Sequence, residues 1–417
     1  MHYIRLLRPV SVESSNRRED VLSVLLTITT DLGDSFFSPD EPLALGLVLE
    51  SESAPGVLAC PADAKSPLQW RAGMRVLKAQ LRLRTPLPNE KTTVRIFARS
   101  QQSKTPSSRP YWRHGYDDDE PEELIVPVSV DMVNRRCAPI SLRSIPLPRG
   151  DVDEVSDDGR FALELGEDIG ESIARHIWDA GLTVASFLSD SCRSADVMAE
   201  IMPARRDDHI NVLELGCGVG ILGTTIAGVI FDIAASQGKT LSEACVLLTD
   251  VEEAEERARA NMARAEEVLE GRSRQHSEAE VEGDSQSQKR RPRAVLQYEN
   301  LDWDEGKQAR FGPLTKARAW DFVVLSDCTY NVDSLPALLS TLRNLHYHNF
   351  VFDETPTRVL LATKPRHASE EALFGLLEEY NWSHRVVKRI PLPRVNAEDE
   401  VVEIYVLEWG KTGKTGV

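Results

Sequence analysis

Residues 211–224, NVLELGCGVGILGT, set Gly216, Gly218 and Gly220 directly behind a short apolar run. The run predicts a buried strand over 212–215, and the apolar stretch opening at Ile221 predicts a helix. Glycines strip a strand-to-helix turn of side chains and open the left-handed backbone region. A ligand can therefore lie against bare backbone, with the free amides of the helix start pointing at it. That chemistry is binding of a nucleotide-like molecule, and the neighbouring residues must say which kind.

Two registers compete. Gly218-x-Gly220-x-x-Gly223 satisfies the dinucleotide pattern GxGxxG. The strand ends at Leu215, however, so the turn begins at Gly216, two residues before that match. The acidic residue expected about 20 positions on is also missing, since Asp250 follows Gly220 by 30. The other register, Glu214-x-Gly216-x-Gly218-x-Gly220, ends the first strand on an acid, and Asp250 ends the next strand. A carboxylate at the second strand's end can accept both hydroxyls of a ribose. Glu214 lies where the amino-acid end of such a ligand would pass and could orient it directly or through water. This arrangement suits S-adenosylmethionine, which offers a ribose, an ammonium and a sulfonium but no pyrophosphate. Gly223 is then left to helix packing.

These residues need a scaffold, and the chain supplies alternating strands and helices from 211 onward. A helix is predicted over 221–235, a strand over 244–249 running into Asp250, and a charged amphipathic helix over 252–270. Residues 271–293 are polar, low in complexity and end in KRRPR; they are expected to be a disordered insertion, with a nuclear-localisation reading of the basic cluster held beside it. Strands follow over 294–298, 321–326 and 358–363, with helices over 335–345 and 369–380, the latter expected to take Ser369 as its N-cap. Strands over 383–390 and 401–409 close the chain. Five strands alternating with helices, then a strand pair, describe a mostly parallel sheet with helices on both faces.

Residues 1–150 read differently. Apolar or alternating runs over 21–30, 42–49, 75–84 and 92–98 predict strands, separated by Pro, Ser and Gly clusters. Residues 100–123 read as a loop ending in the acidic run DDDEPEE, either a solvated loop or a docking segment. The expectation is a β-rich accessory domain over 1–150 and an α/β domain over 151–417, with a polar junction at 151–158. Ahead of the glycine turn, 170–176 is expected to be a short helix or loop, and Trp178 precedes an apolar helix carrying Val184, Phe187 and Leu188.

With 66 acidic against 49 basic residues, the formal charge of −17 argues against a general phosphate-binding surface and favours a basic or lysine-rich protein partner. The six cysteines form no CxxC pair and the histidines lack metal-ligand spacing, so no disulfide framework and no metal site are expected. His346 and His348 read as surface residues at a helix end. The longest mostly apolar stretch, 221–235, contains Asp232 and is too short to span a bilayer. The expectation is a soluble, monomeric protein of the cytoplasm or nucleus, without a membrane or nucleic-acid partner.

At this point five motifs fall into order: IWDAGLTVASFL at 177–188, VLELGCGVGILG at 212–223, LLTD at 247–250, LDW at 301–303 and DFVVLSDCTYN at 321–331. Together they resemble the class I, seven-β-strand S-adenosylmethionine-dependent methyltransferases of the family-16 protein-lysine group, and within it the methyltransferase-like-22 branch and its fungal relatives. The likeness covers roughly 161–410 and implies a Rossmann-like seven-strand sheet. It implies that Trp178, Gly216, Cys217, Gly218, Asp250, Trp303 and Ser326 line the cofactor pocket, beside Glu214 and Gly220 of the glycine register, with Trp303 against the adenine. It also implies that Asp327 and Tyr330 form a D-x-x-Y facing the substrate lysine. Family members commonly carry Ala where Cys217 stands here, and the first 150 residues match none of the family's motifs.

The reaction so implied is transfer of a methyl group to a lysine ε-amine of a partner protein. A lysine ammonium has no free lone pair and titrates ordinarily near 10.4, so it must lose its proton before attack. An apolar pocket favours that loss, whereas Asp327 as a carboxylate opposes it. Asp327 is therefore expected to capture and orient the lysine, with Tyr330 orienting the amine and water taking the proton. The alternatives are a class I methyltransferase acting on a small molecule or RNA, and an inactive interaction module.

Overall fold

The computed structural model describes residues 1–14, 20–51, 57–58, 60–61, 68–83, 87–99, 125–148, 162–170, 173–203, 208–280, 293–354, 356–392 and 398–410. The chain divides into two units: Met1–Ser144 with Glu164–His176 and Leu392–Glu400, and Ile145–Leu163 with Ile177–Pro391 and Val401–Val417. The division is not a single cut, because the chain passes between the units more than once.

The second unit carries a seven-stranded sheet. In chain order its strands are β1 (His209–Leu215), β2 (Glu243–Asp250), β3 (Arg293–Asn300), β4 (Phe322–Ser326), β5 (Arg358–Thr363), β6 (Trp382–Leu392) and β7 (Glu400–Trp409). Their spatial order is β3-β2-β1-β4-β5-β7-β6. The first five in that order run parallel, and β7 returns antiparallel to β5. The order reverses between β1 and β4: β1 hands on to β2 on one side while β4 lies on the other. Such a switch point leaves a crevice beyond the carboxyl ends of the two strands.

Parallel strands need crossovers, and helices supply them. They are α1 (Asp179–Ser191), α2 (Ala195–Ile201), α3 (Ile221–Ser236), α4 (Glu252–Glu280), the single turns α5 (Trp303–Gly306) and α6 (Pro313–Lys316), α7 (Leu335–Asp353) and α8 (Ala372–Glu379). Covered strands should read as unbroken apolar runs. VLEL of β1, ACVLLT of β2 and FVVL of β4 are accordingly buried throughout. One core packs Leu213, Leu247, Val323 and Leu361 with Leu338, Leu342 and Trp320.

Three expectations are corrected here. Residues 271–280 are not an insertion loop but the last turns of α4, because Arg272 donates to the Gly228 carbonyl and to Asp232 Oδ2 of α3 and so fastens that end down. The remainder of the expected insertion, 281–292, lies outside the described residues, as do the 100–123 loop and the 151–158 junction. Helix α7 runs on to Asp353, so His346 is not a surface residue at a helix end: it is buried and stacks on Trp409 with ring centroids 4.7 Å apart. Burial pushes its imidazole below the ordinary value. Finally, α8 starts at Ala372 rather than at 369, after a tight 3-10 turn over Ala368–Glu371. Glu370 turns back there, its Oε1 accepting the amides of Arg366 and His367 at 3.0 and 3.1 Å.

The first unit is built of β-strands in two sheets. One follows the order Ile125–Val126, His2–Leu6, Asp20–Thr29, Leu77–Arg82 and Cys60–Pro61; the other runs Ala162–Asp168, Ile140–Pro146, Val128–Val133, Thr92–Ala98, Leu43–Ser51 and Val57–Leu58. Both sheets contribute to one core, with Ile4, Leu22 and Leu26 from the first and Leu47, Val94 and Val128 from the second. The buried Arg143 is matched by the buried Glu167 at 2.6 Å, and it also donates to backbone carbonyls including that of Ile4 at 3.0 Å. Buried charge is tolerated only with such pairing.

Candidate functional site

The glycine turn sits at the carboxyl end of β1, inside the crevice at the switch point. Gly216, Gly218 and Gly220 hold φ of +64°, +52° and +82°, a region that costs other residues about 1–2 kcal/mol each. Space forbids a side chain as well. A Cβ on Gly216 would stand 2.6 Å from Cys328 Sγ and 3.1 Å from Trp303 Cζ2, and one on Gly220 would stand 2.6 Å from Leu248 Cδ2. The Cys217 amide donates to the Thr249 carbonyl at 3.0 Å, and the Gly220 amide to the Cys217 carbonyl at 2.8 Å. The turn is thus tied to β2 by a backbone bond.

Asp250, the last residue of β2, completes that tie. Its Oδ2 accepts the Gly218 amide and its Oδ1 the Val251 amide, both at 2.7 Å. Burial pushes its carboxyl up, and the two amides pull it back. Each oxygen keeps a further lone pair, so the group can still accept two hydroxyls from a ligand in the crevice. Trp303 opens α5, whose first turn is capped by the Asp302 side chain accepting the Asp304 amide at 2.8 Å. Its half-buried indole lies against Gly216, as a flat ring beside the turn requires.

Glu214 stands elsewhere than its expected place. It is 1% exposed, and its Oε2 accepts the Gly223 amide of α3 at 2.9 Å. It backs the turn from inside the protein instead of lining the crevice. This also explains Gly223, where a Cβ would stand 2.5 Å from that same oxygen. Burial pushes the Glu214 carboxyl up to about 8, against the pull of the Gly223 amide, with Asp250 adding to the rise. Cys217 is likewise buried, and burial pushes its thiol far up, so its contribution is the backbone of the turn.

Across the crevice, β4 ends at the half-buried Ser326. The next residue, Asp327, holds φ of +54°, and its amide donates to the Ala362 carbonyl of β5 at 3.1 Å. Its Oδ2 accepts the Gly181 amide, in the first turn of α1, at 2.8 Å. Trp178 occupies the N-cap position of that helix and makes no side-chain cap bond, so Asp327 caps the helix from a distant strand. Gly181 must be small, since a Cβ there would stand 3.0 Å from Ile221 Cγ2 and 3.1 Å from Ser326 Oγ. Cys328 is buried beneath Gly216, and burial pushes its thiol far up. Tyr330 stands at the rim, 56% exposed, its phenol pushed up mainly by partial burial.

The structure therefore gathers the glycine turn, Asp250, Trp303, Ser326, Asp327 and Cys328 in one crevice, with Trp178 at the start of α1 and Tyr330 at the rim. Sequence reasoning missed two cations from the loop after β5. Lys364 Nζ pairs with Asp179 Oδ2 at 2.6 Å, both side chains being fully buried. Arg366 Nη2 stands 3.5 Å from Asp327 Oδ1, and its guanidinium lies 5.8 Å from the centre of the Trp178 ring. A signal existed: Lys364, like Asp250 and Asp327, is a charged residue at the carboxyl end of a central strand. Among the described residues no group of His, Cys, Asp and Glu could hold a metal ion, and no helix is long and apolar enough to cross a membrane.

A family model described as lysine methyltransferase matches residues 158–380. A UPF0665 family protein of Schizosaccharomyces pombe is 24% identical over 382 residues, which span 90% of this chain and 92% of that relative. Among solved structures, Pyrococcus horikoshii TYW2 in complex with MeSAdo is similar with a TM-score of 0.30 and 11% identity, covering 66% of this chain and 72% of that one. The rRNA methyltransferase aviRa of Streptomyces viridochromogenes gives a TM-score of 0.30 and 12% identity, covering 57% and 88%.

Proposed function

This chain belongs to the lysine methyltransferase family, a family of S-adenosylmethionine-dependent methyltransferases whose model matches more than half of its length, and on that premise we propose that it methylates a lysine ε-amine of a partner protein. The observation that carries the cofactor part is the side-chain-free turn at Gly216–Gly220, closed by the Asp250 carboxylate on the Gly218 amide. Asp250 would hold the ribose hydroxyls, Trp303 would lie against the adenine, and the bare turn would admit the amino-acid portion. When bound, S-adenosylmethionine supplies an electrophilic methyl group on a sulfonium.

The chain's own residues then have one task, which is alignment of a nucleophile with a free lone pair. Asp327 Oδ1, the oxygen that does not take the Gly181 amide and that lies 3.5 Å from Arg366 Nη2, would accept an N–H of the incoming amine. Tyr330, at the rim, orients the amine with its hydroxyl. Neither group takes the proton in the transfer; the lysine sheds it to water before attack. The acidic balance of the chain, with a formal charge of −17, suits a basic protein partner better than a nucleic acid.

The test has two stages. Calorimetry with S-adenosylmethionine should show one site per chain, and no binding sinks every methyltransferase reading. Radiolabelled cofactor, incubated with an extract from cells lacking this protein, should then label protein in acid-stable form at lysine. Label recovered in RNA or in small molecules instead would replace the lysine reading with one of those substrates.

A further inference from the structure

Arg366 is a nearly buried cation at the acceptor end of the site, and alignment of the amine makes no use of it. Its backbone amide is fixed by Glu370 at 3.0 Å, its guanidinium lies over Trp178, and its Nη2 reaches Asp327 Oδ1 at 3.5 Å. Only 11% of its side chain and 10% of that of Asp327 are exposed, so water screens the pair weakly. Three elements thus converge to hold one positive charge against the carboxylate meant for the substrate. That arrangement sits badly with simple capture of an ammonium, because the carboxylate is already balanced.

Resting on the lysine reading, we infer that Arg366 is a positioning residue that selects the neutral amine. A carboxylate beside a lysine holds its proton on, whereas a guanidinium at the same place favours losing it. With both present, Asp327 can accept a hydrogen bond from the amine without raising the amine's pKa. The other charges nearby are already engaged. Asp179 and Lys364 neutralise each other, and the Glu370 carboxylate accepts the amides of Arg366 and His367. His367 is exposed. The Tyr330 phenol and Cys328 thiol lie in the same turn as Asp327 and stay neutral; Asp250 is engaged by the Gly218 amide, and the buried Glu214 by the Gly223 amide.

The experiment measures the pH dependence of label transferred from tritiated S-adenosylmethionine, at saturating cofactor, into protein of an extract from cells lacking this chain. Wild type, Arg366→Gln and Arg366→Lys are compared from about pH 6 to about pH 10, the span over which the amine deprotonates. The acid limb should move up by about one pH unit in Arg366→Gln, giving ~10-fold less label near neutrality and convergence with wild type at the alkaline end. Arg366→Lys should restore the limb, and all three proteins should bind S-adenosylmethionine alike. Where the glutamine variant does not fold, Arg366→Met reads the same limb with the apolar stem retained. Equal loss at every pH, with the limb unmoved, overturns the inference alone and leaves Arg366 a structural residue. Absence of protein label from the wild type overturns the lysine reading, and this inference with it.

Discussion

The Asp250 carboxylate accepts the Gly218 amide at 2.7 Å across 32 residues of chain, joining the end of the second strand to the turn that follows the first. The bond gives Asp250 two roles, shaping the turn and receiving a ribose, and the roles can be separated. Asp250→Asn keeps an acceptor for the Gly218 amide but halves the capacity to accept hydroxyls, whereas Asp250→Ala removes both. Bonds to a charged group contribute about 1.5–3 kcal/mol. S-adenosylmethionine binding measured by calorimetry should therefore weaken ~10- to 100-fold in Asp250→Ala and less in Asp250→Asn. Equal affinity in all three proteins would remove Asp250 from the cofactor site.

Glu214 predicts a pH effect on stability. Burial raises its folded-state value to about 8, against an ordinary value of 4.5 in the unfolded chain. Between those two values the folded state holds a proton that the unfolded state releases, so stability falls as pH rises through this window and levels off above it. Glu214→Gln has no proton to lose and keeps an oxygen for the Gly223 amide. Urea unfolding at pH 5, 7 and 8.5 should show the variant gaining on wild type by up to roughly 4 kcal/mol across the window. Parallel stability curves would mean that the carboxylate is ionised in the fold.

The buried pair of Asp179 and Lys364 predicts strong coupling. Removing one partner of a buried pair strands the other charge and costs about 3–5 kcal/mol. Asp179→Asn and Lys364→Met should each destabilise on that scale. The double variant should be more stable than the sum of the singles implies, by roughly 1–3 kcal/mol. Chemical denaturation of the four proteins checks this, and simple additivity would show that the two side chains do not act as one unit.

Much of this was legible in sequence, for reasons of range. Period and composition act over a few residues, so the seven strands and the glycine turn could be read directly; the strand expected at 358–363 is β5 as observed. Asp250, Trp303 and Asp327 could be placed because each lies just beyond a readable strand. What stayed hidden depends on where side chains meet. Asp327 and Gly181 are 146 residues apart, and Lys364 and Asp179 are 185 apart. No local pattern records such meetings. Glu214 shows the complementary limit: its position in the motif was plain, but which way a strand-end carboxylate turns depends on the helix packed against it. The length of α4 was masked by composition, since its sequence turns polar after Glu270 while Arg272 fastens the helix to α3.

Asp327 serves the fold and the proposed chemistry at once, and two substitutions tell these apart. Asp327→Asn keeps an oxygen for the Gly181 amide and tolerates the left-handed backbone at φ +54°. It does strand the nearly buried Arg366 guanidinium without its carboxylate, so it should cost about 1.5–3 kcal/mol. Asp327→Ala strands the same charge, loses the cap and sits poorly in that backbone region, so it should cost about 1–3 kcal/mol more. Both should bind S-adenosylmethionine within a few-fold of wild type, because neither touches the glycine turn or Asp250. Transfer to protein should drop by about 10²-fold in both, the scale expected when a reacting group is misplaced. Asn therefore gives a folded, cofactor-binding protein without transfer, and this is the decisive variant. If Asp327→Asn transfers methyl groups at the wild-type rate, the carboxylate serves only the capping of α1 and the pairing with Arg366, and the amine must be oriented by Tyr330 and the surrounding wall.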